Sequence, residues 1–376
     1  MTFTYLGHEA GASTAIIDAA VEYVNIRAFS MPTSLLLGVV QAACLGAKDS
    51  VTPLIAILWA TAVNISGDFL LVKQFGMGLK GAALATLFAQ WASTIALLGP
   101  ARRRLIRNHS FELFEKGKKG DGSARTFLAF ALPVLTLILG KLAAFGFMTH
   151  SAAALPDQPT ALASHQIILS LFFFVSPFME VISQTAQTFL PPFLAPVTDY
   201  IEKKRQKDDN YDPSTDPVPQ AWKKSSFTCA TQLLKIGFMS AVTVASIASL
   251  VPAFFGNMLT QDLVVQEAIK PLAKLLWIGA FLTGPVAVSE GVLLARRELR
   301  YLATIYLVST AVLPSALLRI KTMKGSISQI WACFGAFQLF RAACFAGKIW
   351  LVPALARIGQ VFGRGTEEGH SSTDKA

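Results

Sequence analysis

The chain has 376 residues, 53% of them hydrophobic and 15% charged. Soluble domains carry about a quarter charged residues, so this composition excludes a water-soluble globular protein and calls for lipid over part of the surface. The formal net charge is +10, but the Lys and Arg residues cluster in short loops between apolar runs and are not interleaved with aromatics, which argues against nucleic acid as a partner.

A transmembrane helix needs about 20 mostly apolar residues. Nine runs qualify in chain order: 28–45, 52–72, 79–99, 126–149, 162–192, 228–252, 272–294, 301–318 and 328–354. Barrel strands would be about 10 residues long and strictly alternating, so helix is the reading. The fifth run is too long for one straight span and is expected to bend near Pro177 or at Pro191-Pro192. Pro32, Pro133, Pro285 and Pro314 also fall inside runs; in a bundle, neighbouring helices re-satisfy the carbonyls that a proline frees. The fold class is thus an all-α polytopic membrane protein with nine transmembrane helices, its main partner the lipid bilayer. Cys44, Cys229, Cys333 and Cys344 lie singly in or beside apolar segments, as buried free thiols do.

The loops set the orientation. Segment 100–125 carries eight cations (Arg102, Arg103, Arg104, Arg107, Lys116, Lys118, Lys119, Arg125), and nine spans place 46–51, 199–226, 295–300 and the C-terminal tail on the same side. That side holds 21 Lys and Arg against seven on the other, which predicts a cytoplasmic C-terminus and residue 1 outside. Segment 199–226, with Lys203-Lys204-Arg205-Gln206-Lys207-Asp208-Asp209, reads as a flexible cytosolic linker able to touch anionic lipid.

Whole spans repeat. Glu22 through Leu45-Gly46-Ala47-Lys48-Asp49 matches Glu267 through Leu294-Ala295-Arg296-Arg297-Glu298: an acidic start, an apolar run with a proline, then a turn of small residue, cation and acid. The offset is 249 residues at the turns and 247 between Gly78 and Gly325. Spans one to three therefore resemble spans seven to nine in the same orientation, a parallel repeat known among transporters. Six spans in one half and three in the other lead to the expectation that three more would precede residue 1.

The runs Glu22-Tyr23-Val24-Asn25-Ile26-Arg27-Ala28-Phe29-Ser30-Met31-Pro32, Gly46-Ala47-Lys48-Asp49-Ser50-Val51-Thr52-Pro53 and Gly78-Leu79-Lys80-Gly81-Ala82-Ala83, with Asn64 and Asp68 between them, resemble the fourth to sixth helices of multidrug and toxic compound extrusion (MATE) transporters. Ala163-Ser164-His165-Gln166-Ile167 with Glu180 and Gln187 is similar to that family's eighth helix, and Glu290-Gly291-Val292-Leu293-Leu294 to its tenth. The branch most resembled is that of DNA-damage-inducible protein F and the plant citrate and salicylate exporters. The resemblance implies a two-lobe fold: 1–99 as a partial N-lobe of three helices, 100–125 as a basic cytoplasmic loop between lobes, 126–354 as a six-helix C-lobe and 355–376 as a cytoplasmic tail. It further implies a monomeric secondary active exporter of small organic solutes, organic anions among them, driven by antiport with H+ or Na+ and using no other cofactor. It departs from the family in carrying Lys141 where several branches hold an acid in the seventh helix, and Thr283 or its neighbours at an acidic position of the tenth. A lipid-linked substrate flippase of a related superfold and a truncated, non-transporting membrane protein are the alternatives. No P-loop, GxSxG or HExxH occurs, so neither an enzyme nor an ATP-driven pump is expected.

Charges at mid-membrane are costly, about 2.5–3.5 kcal/mol on insertion scales, which marks each as a candidate. Ser176, Glu180, Gln184 and Gln187 are spaced four, four and three apart and share one helical face; Glu180 is the first candidate for ion or proton coupling. Lys141 would attract an organic anion in the cavity, and depth counting along the helices disfavours its direct contact with Glu180. Glu290, the second coupling candidate, is expected near Arg296 or Arg297 at the inner end of its span. Asn64 and Asp68, one turn apart, are candidates for polar cavity contacts or an interhelical hydrogen bond, as are Gln338 and Arg341. His165 is expected at an outer helix start, at the membrane interface.

Overall fold

The computed structural model describes residues 14–109, 124–208, 211–213 and 215–351; the centre of the basic loop, 110–123, and the tail 355–376 lie outside the described residues. The described residues are helical, in the order α1 (Thr14–Ala28), α2 (Met31–Gly46), α3 (Val51–Gly67), α4 (Gly78–His109), α5 (Ala124–Ala153), α6 (Gln158–Phe189), α7 (Pro191–Arg205), α8 (Pro217–Phe254), α9 (Leu263–Ala295), α10 (Leu299–Thr322) and α11 (Ile327–Ala346). Wider π-helical turns extend α3 over Asp68–Gln74 and α11 over Gly347–Leu351. Among the described residues, eight helices are long and apolar enough to cross a membrane, and Asp18–Ala28 with Met31–Gly46, bent by 51°, pass the same test when taken together, for up to nine. The break falls between Ala28 and Met31, where Pro32 at the start of α2 has no N–H to continue the ladder from α1. The Arg27 carbonyl closes the bend, accepting from Ser30 N–H at 3.0 Å and from Ser30 Oγ at 2.6 Å.

The chain divides into two compact units, Met1–Gly122 and Ser123–Ala376. In the first, α4 packs against α1, α2 and α3 around Cys44, Ala56, Leu97 and Ala101. Small residues permit close approach: a Cβ on Gly67 would lie 2.9 Å from that of Ala85, and one on Gly81 would lie 3.0 Å from the Leu71 carbonyl. The outer face of α3 exposes Leu54, Ile55, Leu58, Trp59 and Ile65, the side chains a bilayer would cover. Helix α4 continues through Pro100 to His109, ten residues into the segment read as loop.

In the second unit α9 is the central helix, packed on α6, α8 and α11. Its residues Val286 to Leu293 are buried consecutively, on all sides of the helix. Contact is closest over glycine. A Cβ on Gly284 would meet that of Ala241 at 2.5 Å and the Gly237 carbonyl at 2.9 Å, and one on Gly291 would meet the Ser183 carbonyl at 2.5 Å. Tertiary packing thus lowers α8 and α6 onto α9 through its glycines.

The two repeated turns share one hydrogen-bond pattern. Lys48 N–H donates to Leu45 and Asp49 N–H to Cys44, as Arg297 does to Leu294 and Glu298 to Leu293; Lys48 and Arg297 take φ of 59° and 58°. Each is a helix C-terminus closed by two backward bonds with one left-handed residue, so the sequence repeat extends to backbone geometry.

The linker 199–226 is largely structured where flexibility was expected. After Leu190 the chain restarts as α7 at Pro191, and Asp216 secures the return. Its Oδ2 accepts from Tyr211 Oη at 2.7 Å and Tyr200 Oη at 3.1 Å, while Oδ1 caps α8 by accepting from Val218 N–H at 2.9 Å. These bonds, that from Tyr211 foremost, hold the Asp216 carboxyl below the usual carboxylate range. Lys204 Nζ sits over the Tyr200 and Tyr211 rings at 5.7 and 5.9 Å.

Candidate functional site

Within the second unit, α5, α6, α9 and α11 enclose a cavity of about 440 Å³. Lys141 of α5 reaches it because Gly140 lets α5 press onto α10: a Cβ there would lie 2.9 Å from Thr310 Oγ1 and 3.2 Å from the Tyr306 ring. Across the cavity, the face of α6 bearing Ser176, Glu180 and Gln184 lines one wall, and Thr283 and Glu290 of α9 with Gln338 and Arg341 of α11 line another. Phe145, Phe172 and Phe173 add an apolar wall, with ring centroids 4.8 Å apart for Phe145 and Phe173 in an edge-to-face contact.

The charges form two groups. Lys141 Nζ binds Glu290 Oε1 at 2.7 Å, and Tyr306 Oη donates to Glu290 Oε2 at 2.6 Å. The Glu290 side chain is 7% exposed and that of Lys141 35%, so the carboxylate is the buried partner and the ammonium borders the cavity. The Arg341 guanidinium stacks over Tyr306 and Phe337 at 4.7 and 4.6 Å and donates to Gln338 Oε1, and Gln338 Nε2 donates to Thr283 Oγ1 at 2.6 Å. The second group is Glu180 alone. It is exposed to the cavity, and no hydrogen bond or ion pair to a described residue holds its carboxyl. Burying a charge without a partner is costly, and here the paired carboxylate is buried and the unpaired one faces the opening. The arrangement can bind a solute or ion at Glu180 without dismantling the Lys141–Glu290 pair.

Several expectations shift. Glu290 faces Lys141 and Tyr306 and does not reach Arg296 or Arg297, which line a different cavity. The depth count that disfavours contact between Lys141 and Glu180 agrees with the structure, in which the long Lys141 side chain reaches Glu290 instead. Gln187 leaves the stripe, turning to Ser183 with 3.4 Å contacts to its carbonyl and hydroxyl, and does not line the cavity. Asn64 and Asp68 belong to the first unit, where Asn64 Nδ2 donates to Asp68 Oδ2 at 3.0 Å. His165 is fully buried within the bundle, 3.0 Å from Thr149 Oγ1 and against Trp331. Tyr306 was missed altogether; a single phenol gives no periodic signal, and only the packing of α10 beside Gly140 and Glu290 shows its role.

No protein-family model matches the chain. It is 29% identical over 298 residues to Protein DETOXIFICATION 47, chloroplastic, of Arabidopsis thaliana, a match spanning 78% of this chain and 49% of that protein. To DNA damage-inducible protein F of Escherichia coli (strain K12) it is 29% identical over 170 residues, 45% of this chain and 36% of that protein. The chain thus spans about half the length, or less, of the curated relatives it matches. The crystal structure of the eukaryotic MATE transporter AtDTX14 superposes with a TM-score of 0.69 at 16% identity, covering 92% of this chain and 71% of that one. The chain therefore has the fold of the MATE transporters, and its curated sequence relatives are DETOXIFICATION proteins and DNA damage-inducible protein F.

Proposed function

We propose that the chain exports small organic solutes, organic anions among them, by antiport with H+ or Na+, and that Glu180 carries the coupling ion. The observation that carries this reading is the unpaired Glu180 carboxyl on the cavity wall opposite a paired Lys141–Glu290–Tyr306 group. A free carboxyl facing a cavity inside an apolar bundle takes up a proton or a sodium ion and releases it when solute or water access changes. The neighbouring pair keeps its charges balanced throughout. Lys141, bordering the cavity, supplies the attraction for an anionic group, and the three phenylalanines accept its apolar part. Two cations and two carboxylates line this cavity; that balance does not favour the uniformly cationic cavity expected of a lipid-linked flippase.

The test is efflux from proteoliposomes of labelled citrate and of a cationic dye under imposed pH and sodium gradients. Wild type is expected to concentrate one of them against its gradient, and Glu180→Gln to lose gradient-driven transport while still binding solute. Undiminished coupled transport in that variant would overturn the role of Glu180.

A further inference from the structure

A second cavity, of about 570 Å³, lies in the same unit at the other end of α9 from its N-terminus, between α7, the start of α8 and the α9–α10 turn. Its floor is apolar, made by Phe193, Leu194, Val197 and Ile201 of α7. Its rim holds three cations, Lys223, Arg296 and Arg297, and one carboxylate, Asp199. Among the described residues none of these three cations forms an ion pair or a side-chain hydrogen bond. Asp199 shares the rim with these three cations, and the nearby Glu298 carboxylate lies 3.6 Å from Lys348, so the rim keeps an excess of positive charge. The backbone contributes to this, because the left-handed Arg297 (φ 58°) turns its side chain out of the helix end.

We propose that this cavity binds an anionic phospholipid, its phosphate among Lys223, Arg296 and Arg297 and its glycerol and upper acyl segment along α7. The occupant must be both anionic and apolar, since an inorganic phosphate would leave the floor uncovered. Its level in the bilayer also fits. Helix α7 begins at Pro191, directly after the membrane-spanning α6, and ends in Lys203-Lys204-Arg205, a juxtamembrane basic cluster of the kind that attracts anionic headgroups. Because the cavity holds α7 and the α9–α10 turn together, and α9 carries Glu290, lipid occupancy steadies the end of the helix that bears the transport site. This inference does not depend on the reading of Glu180, since its test measures lipid and not transport.

The test uses the whole purified chain, delipidated and titrated with phosphatidylglycerol or phosphatidylcholine, with bound lipid counted by native mass spectrometry. The expected result is one phosphatidylglycerol retained in preference to phosphatidylcholine. The variant Lys223→Gln/Arg296→Gln/Arg297→Asn, with asparagine chosen because it tolerates positive φ, should bind it on the order of 100-fold more weakly. Asp199→Asn removes the opposing charge and should tighten binding severalfold, an outcome that misfolding does not produce. Equal retention of the two lipids, unchanged binding in the triple variant, or displacement of the lipid by millimolar glycerol phosphate would each overturn the assignment, the last by showing a soluble anion as the occupant.

Discussion

The Lys141–Glu290 pair permits a quantitative test of how the second unit is held together. Replacing Lys141 by Met keeps length and helix propensity but leaves the Glu290 carboxylate, 7% exposed, with only the Tyr306 hydroxyl. Breaking a buried pair from one side costs about 3–5 kcal/mol. The lower end applies here, about 3 kcal/mol, since the Lys141 side chain is 35% exposed and solvent screens the pair. The reverse change, Glu290→Gln, should cost only about 1 kcal/mol: the ammonium borders the cavity and can take water, and the amide still accepts from Tyr306. The double variant leaves no charge unpaired and should cost about 2 kcal/mol, below the sum of the singles, for a coupling energy of about 2 kcal/mol. Reversible unfolding in mixed micelles titrated with SDS measures all four corners of the cycle. Additivity within about 0.5 kcal/mol would refute the claim that the two charges stabilise each other across α5 and α9.

Two further outcomes follow from particular contacts. Gly291→Ala pushes a Cβ against the Ser183 backbone at 2.5 Å, where no side chain can yield, so a loss of about 1–3 kcal/mol is expected; Gly38→Ala has nothing within 4 Å of the new Cβ and should be neutral or stabilising by up to about 1 kcal/mol. The same unfolding assay compares the two. The Asp216 staple should be pH-dependent: its carboxyl is held below its unfolded value, so its contribution is present above the unfolded pKa and lost as pH falls through the lower, folded one. Hydrogen exchange at the Val218 amide should accelerate over that acidic window in wild type and show no such step in Asp216→Asn.

Much of the architecture was legible because it rests on local quantities. Span length follows from apolar run length, since a helix rises 1.5 Å per residue across a hydrocarbon core about 30 Å thick. The repeated turns at Lys48 and Arg297 could be aligned by residue type because their hydrogen bonds close within six residues. The stripe Ser176–Glu180–Gln184 was readable for the same reason: a fixed 100° step places those residues on one face.

What the tertiary structure decided were relations between helices. Spacing along one helix carries no information about the rotation, tilt or level of another. The partner of Lys141 is therefore Glu290, 149 residues away, and Tyr306 enters the site because Gly140 admits its ring. The charged linker illustrates the same limit: its composition suggested flexibility, yet one carboxylate bound by two tyrosine hydroxyls and a helix cap orders the return, and the helix before it lines a cavity bordered by cations. The sequence by itself determined a bundle of membrane helices with an internal repeat and an acidic residue on a polar stripe. Which charges neutralise one another, and which carboxyl is left without a partner among the described residues, depended on how α6 and α8 close on α9 and α5 on α10, where small residues let backbones meet and side chains from distant spans share one low-dielectric space.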